Sequence, residues 1–298
     1  MKGYVNREQK CSQCIHYFII CFIFLLIFLW SFPDCQGTEF NRIISLAPSI
    51  TESIYHLGQE HRLIGVTSYC NHPEKVKDKE IIGEMLNPNL EKIYSLAPDL
   101  IVASKGINQL HTVEKLKSLH LHVVAFDEGN NIDEIFENFF QLGLLLGAQD
   151  KAEKIIQSVK ERMHIMKGAL HNDPPQKIFW QVGTNPLVTI GTNSFVNDFI
   201  TYVGGKNIFD ITAIKYPRVS REEVLKKNPD IIILIPMGDV TEHEQDAWSS
   251  FKELSAVKNN KIYVVDGDKL CRPTPLSFLA GLEELARLLH PEIFSSGK

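Results

Sequence analysis

The apolar positions of this chain fall into two series of short buried-looking runs alternating with amphipathic stretches, and one long helical stretch lies between the series. The runs at 42–46, 63–66, 100–103 and 123–125 are aliphatic on both faces, as strands covered by helices are. Between and after them, 49–58, 89–96, 109–119 and 132–146 carry helical spacing. Ser49 or Thr51 is the expected cap of the first helix, and Gly58 and Gly147 are expected stops. The stretch 151–170 places Ala152, Ile155, Ile156, Val159, Met163, Met166 and Leu170 at steps of three and four, on one face of a helix roughly 30 Å long. His171-Asn-Asp-Pro-Pro ends it. The alternation then resumes, with strands expected at 177–180, 187–190, 231–235 and 262–265 and helices at 195–203, 219–227 and 276–289. Gly204-Gly205 reads as a helix stop.

This order predicts an α/β protein of two lobes with mostly parallel sheets, joined by a single long α-helix, with a ligand cleft between the lobes at the strand C-termini. The expected divisions are 1–37 as a leader, 38–150 as the N-terminal lobe, 151–171 as the linking helix and 172–298 as the C-terminal lobe. A repeat supports the two halves. Asn89-Leu-Glu-Lys-Ile-Tyr-Ser-Leu-Ala-Pro-Asp99 aligns without a gap on Ser220-Arg-Glu-Glu-Val-Leu-Lys-Lys-Asn-Pro-Asp230 at an offset of 131. Each copy opens on a helix-capping residue, has a glutamate two places later (Glu91, Glu222) and closes on Pro-Asp before a strand. A first-turn glutamate is stabilised by the helix dipole, which by itself explains one such residue. Two in the same register also suit a partner with two basic patches.

Composition narrows the function. The chain has 298 residues and a net charge of −5; residues 1–37 hold Lys2, Arg7 and Lys10 against Glu8 and Asp34, so the remainder carries −6. That balance argues against nucleic acid as a partner. The basic start, followed by the uncharged apolar run 18–30, reads as a targeting segment. Its length suits a signal peptide cleaved after Gly37 better than a membrane span, with a retained N-terminal anchor as the alternative. Four of six cysteines, Cys11, Cys14, Cys21 and Cys35, lie in that leader. Cys70 and Cys271 remain, as two thiols or, in an oxidising compartment, one disulfide. His120-x-His122 has no third ligand nearby, so no metal site is expected, and Gly-x-Ser-x-Gly, a phosphate loop and His-Glu-x-x-His are all absent. The chain therefore reads as a binding protein rather than an enzyme, with an α/β enzyme using the cleft as the remote alternative.

Several segments in this order resemble a known family. They are Arg42-Ile-Ile-Ser-Leu-Ala-Pro-Ser-Ile-Thr-Glu52, Gly65-Val-Thr-Ser-Tyr-Cys-Asn-His-Pro73, Asn89-Leu-Glu-Lys-Ile, Ala97-Pro-Asp-Leu-Ile-Val, Val203-Gly-Gly-Lys-Asn-Ile208 and Val219-Ser-Arg-Glu-Glu-Val224. Over 42–289 the chain resembles the periplasmic binding proteins of ABC importers for cobalamin, ferric siderophores and haem, and its positional matches are to the cobalamin binders. The resemblance implies Tyr69, Tyr216, Asp268 and Arg272 as ligand-binding positions, together with Met85 and Val188, which stand where the cobalamin binders have a tryptophan and a phenylalanine. It implies Glu91 and Glu222 as permease-docking residues, one per lobe. It further implies no resident cofactor, a cobalamin-like corrinoid as ligand, an ABC permease dimer in the inner membrane as partner, a monomer, and a periplasmic location. A ferric siderophore or haem is the alternative ligand, with Tyr69 as an axial phenolate for haem.

Overall fold

The computed structural model describes residues 39–298 except 107, 109, 171–173, 211–213, 237–241, 292 and 294–298. The leader therefore lies outside the described residues, and residues 40–298 form one compact unit. Its first half runs β1 (Ile43–Ser45), α1 (Pro48–His56), β2 (Leu63–Val66), β3 (Glu80–Ile81), α2 (Leu90–Ser95), β4 (Leu100–Ser104), α3 (Leu110–Ser118), β5 (Val123–Phe126) and α4 (Ile132–Leu145). The strands form a parallel sheet in the order β3-β2-β1-β4-β5. The unbroken helix α5 (Gln149–Ala169) then leads to the second half. That half comprises β6 (Gln176–Gly183), β7 (Val188–Thr189), α6 (Phe195–Tyr202), β8 (Gly205–Asn207), α7 (Arg221–Lys227), β9 (Ile231–Leu234), α8 (Glu242–Ser249), α9 (Ser255–Lys258), β10 (Ile262–Val264), α10 (Gly267–Leu270) and α11 (Pro275–Leu289). Here β10, β9, β6 and β8 pair in parallel, and β7 pairs antiparallel to β6.

Most expected elements are present within a few residues of their expected ends, and each departure has a physical cause. The cap of α1 is Ala47, not Ser49 or Thr51. Pro48 occupies the first turn, where its missing N–H costs nothing and its fixed φ suits a helix, so the helix starts earlier than expected. The Thr51 hydroxyl instead turns inward, 2.8 Å from Ser45 Oγ and 3.2 Å from Cys70 Sγ. Strand β6 runs past its apolar stretch because Gln181, although fully buried, is satisfied there. Its amide donates to Glu244, and its carbonyl accepts from the Trp248 indole at 2.7 Å. Of the Gly204-Gly205 pair, Gly204 is the left-handed stop at φ 73°, whereas Gly205 begins β8. A Cβ on Gly205 would strike the Ile178 side chain on the adjacent strand.

The repeat is reproduced in the backbone. Ala97 and Asn228, offset by 131, both adopt left-handed φ, at 45° and 46°, immediately before the proline. The Asp99 carboxylate accepts from the Asn41 and Arg42 amides, and Asp230 accepts from the Lys177 amide. The same strand-opening residues reach back to the helix ends: Arg42 donates to Ala97 O, and Lys177 Nζ to Lys227 O. The Pro-Asp motif thus ties each helix–strand unit to the first strand of its own sheet.

Helix α5 is the covalent link, but the joint is wider than one rod. Ala152 packs with the N-terminal core, and Val159 and Met163 with the C-terminal core. Helix α4 divides in the same way: Phe139 and Leu142 face the first core, while Ile132, Ile135 and Phe136 belong to the second. At its start, the Ile132 amide donates to Asp198 of α6 at 2.7 Å. Helix α11 packs on both α4 and α5, and Arg162 pairs with Glu283 between α5 and α11. Three helices that share buried apolar surface resist shear, since packed interiors are close-packed and do not deform continuously. The lobes are therefore expected to reorient little on binding ligand.

Candidate binding cleft and docking face

Of the expected ligand residues, Tyr69, Met85, Tyr216 and Arg272 stand on loops, and Val188 opens β7. Tyr69 follows β2, Met85 follows β3, Val188 follows the β6 hairpin turn, and Arg272 follows β10 and α10. In the N-terminal lobe two loops are stitched together, with Ser68 N donating to Gly83 O and Asn89 N to Ile82 O. Asn108, beyond β4 at the point where the strand order reverses, locks them down. Its carboxamide nitrogen donates to Leu46 O and Met85 O, and its oxygen accepts from Ser104 N. In the C-terminal lobe, 215–219 runs antiparallel along 187–191. Thr189 N donates to Pro217 O, Gly191 N to Lys215 O and Val219 N to Leu187 O, and Val188 bridges Arg218. That pairing sets Arg218 opposite Val188 and Tyr216 opposite Ile190.

Both tyrosines are presented rather than packed. Tyr69 exposes 56% of its surface and Tyr216 45%, far more than core aromatics would. Leu86 and Ile214, which sequence reasoning missed, stand exposed one and two residues from Met85 and Tyr216 and extend the apolar rim. Their sequence signal was weak, because a lone apolar residue in a loop is ordinary. The Tyr216 phenol is nonetheless strongly shifted. Burial, then the charges of Glu128 and Cys271, push it up to about 12 against the hydrogen bond with Ser194. Tyr216 is therefore a neutral donor and stacking surface at neutral pH. Ultraviolet titration should show one tyrosine ionising near 12, and Tyr216→Phe should remove that step.

The lobes meet across this rim. Arg272 donates to Asn71 Oδ1 at 2.8 Å, and its Nη1 lies 3.7 Å from Glu52 Oε2. Lys215 pairs with Glu128, and its ammonium lies 5.8 Å from the Tyr216 ring centre. Arg272 is thus a cross-lobe link as well as a rim residue, with only 10% of its side chain exposed. Beneath it, Glu52 of α1 is buried against the C-terminal lobe and accepts from Thr274 Oγ1 at 3.2 Å and from Ser277 Oγ, with His56 Nε2 at 3.1 Å. Burial pushes the Glu52 carboxyl up. Hydrogen bonds with His56 and Ser277, and the charges of His56 and Arg272, outweigh that and hold it below the ordinary 4.5. Glu52 closed one of the family-like segments, but nothing in the sequence joined it to positions more than two hundred residues away.

Among the described residues Cys70 and Cys271 form no disulfide, so that alternative does not hold here. Asp268 lies in α10, and its side chain falls outside the described residues.

Glu91 and Glu222 are both exposed, each at the second position of its helix behind a side-chain cap, Asn89 or Ser220. The Glu222 carboxyl is held below its ordinary value by its own backbone N–H and the Ser220 side chain. The neighbouring cation does not reach it. Arg221 donates two hydrogen bonds to Glu244, at 2.8 and 2.9 Å, and stacks 4.6 Å from the Trp248 ring centre.

Comparison with known proteins places this geometry. Residues 43–269 match the periplasmic binding protein family model. The chain is 30% identical over 250 residues to the vitamin B12-binding protein of Vibrio cholerae, covering 83% of this chain and 90% of that protein. It is 30% identical over 264 residues to an uncharacterised ABC transporter substrate-binding lipoprotein of Bacillus subtilis, covering 86% and 82%. A solved structure from Staphylococcus epidermidis, described as a possible iron-binding (periplasmic solute-binding) protein, superposes with a TM-score of 0.76 at 29% identity, covering 85% of this chain and all of that one. With its two sheets, bridging helix and cross-lobe rim, the chain belongs to the periplasmic binding protein family.

Proposed function

We propose that this protein captures a cobalamin-like corrinoid between its lobes and delivers it, chemically unchanged, to an ABC permease. The observation that carries the reading is the rim itself. Tyr69 and Tyr216 present exposed rings from opposite lobes, and Arg272 of the C-terminal lobe reaches Asn71 and Glu52 of the N-terminal lobe. Exposed rings on a monomeric surface suit a large, flat, partly apolar ligand, which stacking and area burial would hold. Met85 and Val188, with Leu86 and Ile214 beside them, supply aliphatic surface where the cobalamin binders have aromatic rings. The identity to the Vibrio cholerae vitamin B12-binding protein supports the same ligand class. Glu91 and Glu222, exposed at matching places on the repeated unit, would meet cations on the permease, and the basic, apolar leader supports export to the periplasm.

Calorimetric titration of the purified protein with cyanocobalamin, haemin and a ferric catecholate tests the assignment. Heat from cyanocobalamin alone is the expected result, and heat from haemin or the catecholate alone would move the assignment to that ligand. Tyr69→Ala and Tyr216→Ala should each weaken cyanocobalamin binding by about tenfold or more, the scale for a buried aromatic anchor. Unchanged affinity in both would remove the rim from the site. The iron-binding description of the Staphylococcus epidermidis neighbour favours a ferric ligand as the second reading. Tyr216 is poorly suited to ligate iron as a phenolate, since burial pushes its phenol up to about 12.

A further inference from the structure

The ion pairs Arg272–Glu52 and Lys215–Glu128 both cross between the lobes, and they are held differently. Arg272 is nearly buried, and the Glu52 carboxylate that faces it is fixed by Thr274, Ser277 and His56. Parting that pair would strand a buried charge. The Lys215 and Glu128 side chains are 21% and 29% exposed, so Glu128 can turn its carboxylate out to water at far lower cost. Glu128 stands in the loop after β5 with its carboxyl against Gly106, where a Cβ would strike it, so the missing side chain makes its place. From the other lobe, the Lys215 carbonyl is anchored by Gly191 N, and its ammonium lies 5.8 Å from the Tyr216 ring centre. The charge of Glu128 also acts on the Tyr216 phenol. The Glu128 carboxylate therefore occupies the place beside Tyr216 where an anionic group of a ligand stacked on that ring would lie. The cavity that Glu128 lines with Ser49, Ser104 and Pro273 of the opposite lobe holds only about 40 Å³, against roughly 300–1,000 Å³ for ligand pockets. A large ligand that reaches both lobes at this point must part the Lys215–Glu128 pair.

We infer that Lys215 is the cation that receives an anionic oxygen of the ligand, and that Glu128 is a built-in competitor that holds Lys215 until the ligand displaces it. This rests on the rim site proposed above and adds the charge for which that site selects. Arg272, already neutralised by a carboxylate that cannot leave, stays a link between the lobes. In the exchange Lys215 trades one anionic partner for another, so its ammonium is not left bare, and the released Glu128 carboxylate gains water. The three candidate ligands share the chemistry required. Cyanocobalamin carries a phosphodiester, haemin carries propionate carboxylates, and a ferric catecholate carries charged phenolate oxygens. A neutral apolar ligand of the same size would part the pair without replacing it, and the site discriminates against it on that ground.

The test uses the purified protein and whichever of cyanocobalamin, haemin and the ferric catecholate it binds, with affinity read by calorimetry. Glu128→Gln removes the competitor and should tighten binding by about threefold, the scale of a partly exposed ion pair. Lys215→Met keeps the length of the side chain but not its charge, and should weaken binding by about tenfold or more, the scale of a hydrogen bond to a charged group. With Lys215→Met already in place, adding Glu128→Gln should change affinity by less than about twofold, because no cation is left to compete for. The two single variants break the same ion pair, so their melting midpoints should move alike, by about 3 °C or less. A bridge with only a structural role would move affinity in the same direction in both, whereas competition moves it in opposite directions. Unchanged or weaker binding by Glu128→Gln overturns the competitor, and unchanged binding by Lys215→Met overturns the ligand contact. In either case, losses in Tyr69→Ala and Tyr216→Ala would leave the rim reading standing. If none of the three ligands binds, the rim reading and this inference fall together.

Discussion

Glu52→Ala should destabilise the folded protein by about 3–5 kcal/mol, the range for removing one partner of a buried pair. The carboxylate is 8% exposed and receives hydroxyls from Thr274 and Ser277 while facing Arg272 and His56. Alanine deletes an acceptor that four groups share and leaves the buried Thr274 hydroxyl, the half-buried Ser277 hydroxyl and a nearly buried guanidinium facing a void. Differential scanning calorimetry should show the melting midpoint lower by on the order of 10 °C. A shift under 2 °C would mean that the cross-lobe cluster contributes little. Glu52→Gln keeps an acceptor and should cost less. The same cluster sets a pH dependence. The Glu52 carboxyl lies below its ordinary 4.5 in the folded protein, so its contribution is fully present above that value and is lost as pH falls through the depressed folded value. Below about 4.5, the melting midpoint of Glu52→Gln should therefore fall less steeply than that of the unsubstituted protein.

Reversing both charges proposed for docking, Glu91→Lys with Glu222→Lys, should lower ligand uptake through the proposed permease by roughly a hundredfold or more. Like-charge contacts at an interface cost several kcal/mol. Cyanocobalamin affinity in solution should stay within about twofold, since both side chains are exposed on helices apart from the rim. The reversal also opposes each helix dipole, but that costs only about 0.3–1 kcal/mol per helix. Reversing the exposed Glu114 and Glu137 instead makes the same change in net charge elsewhere and should leave uptake intact. Equal loss in that control would attribute the effect to overall charge rather than to a docking point. Uptake by the unsubstituted protein should also fall with ionic strength, as encounter steered by exposed charges does.

The fold was legible because its signals are local. Strand against helix follows from the spacing of apolar residues, as the stripe from Ala152 to Met166 shows, and the repeated unit shows itself in an unbroken offset that ends in Pro-Asp. Where reading failed, a local signal was overruled by a partner remote in sequence. Gln181 looked like the end of a strand until Glu244 and Trp248 satisfied it. Thr51 is the exception, since the adjacent Pro48 starts the helix earlier and leaves the hydroxyl to meet Ser45 and Cys70. Helix α8 was missed because its charged sequence gives little sign that Glu244 and Trp248 turn inward.

The rim residues were legible only through the resemblance. Tyr69 and Tyr216 could be named from their segments, but that they project while Arg272 is held between lobes depends on backbone pairing at 187–191 and on Asn71. The sequence alone determined the two α/β halves, the helix between them and the two matched glutamates, because periodicity, capping and repetition are written over a few turns of chain. Tertiary structure alone decided that Glu52 joins the lobes, that α4 and α11 share the joint, and that Tyr94 projects while Leu225, at the matching place, is half-buried. Each of these rests on groups that meet only after the chain has folded, and whether a side chain is buried, paired or presented is a property of that meeting.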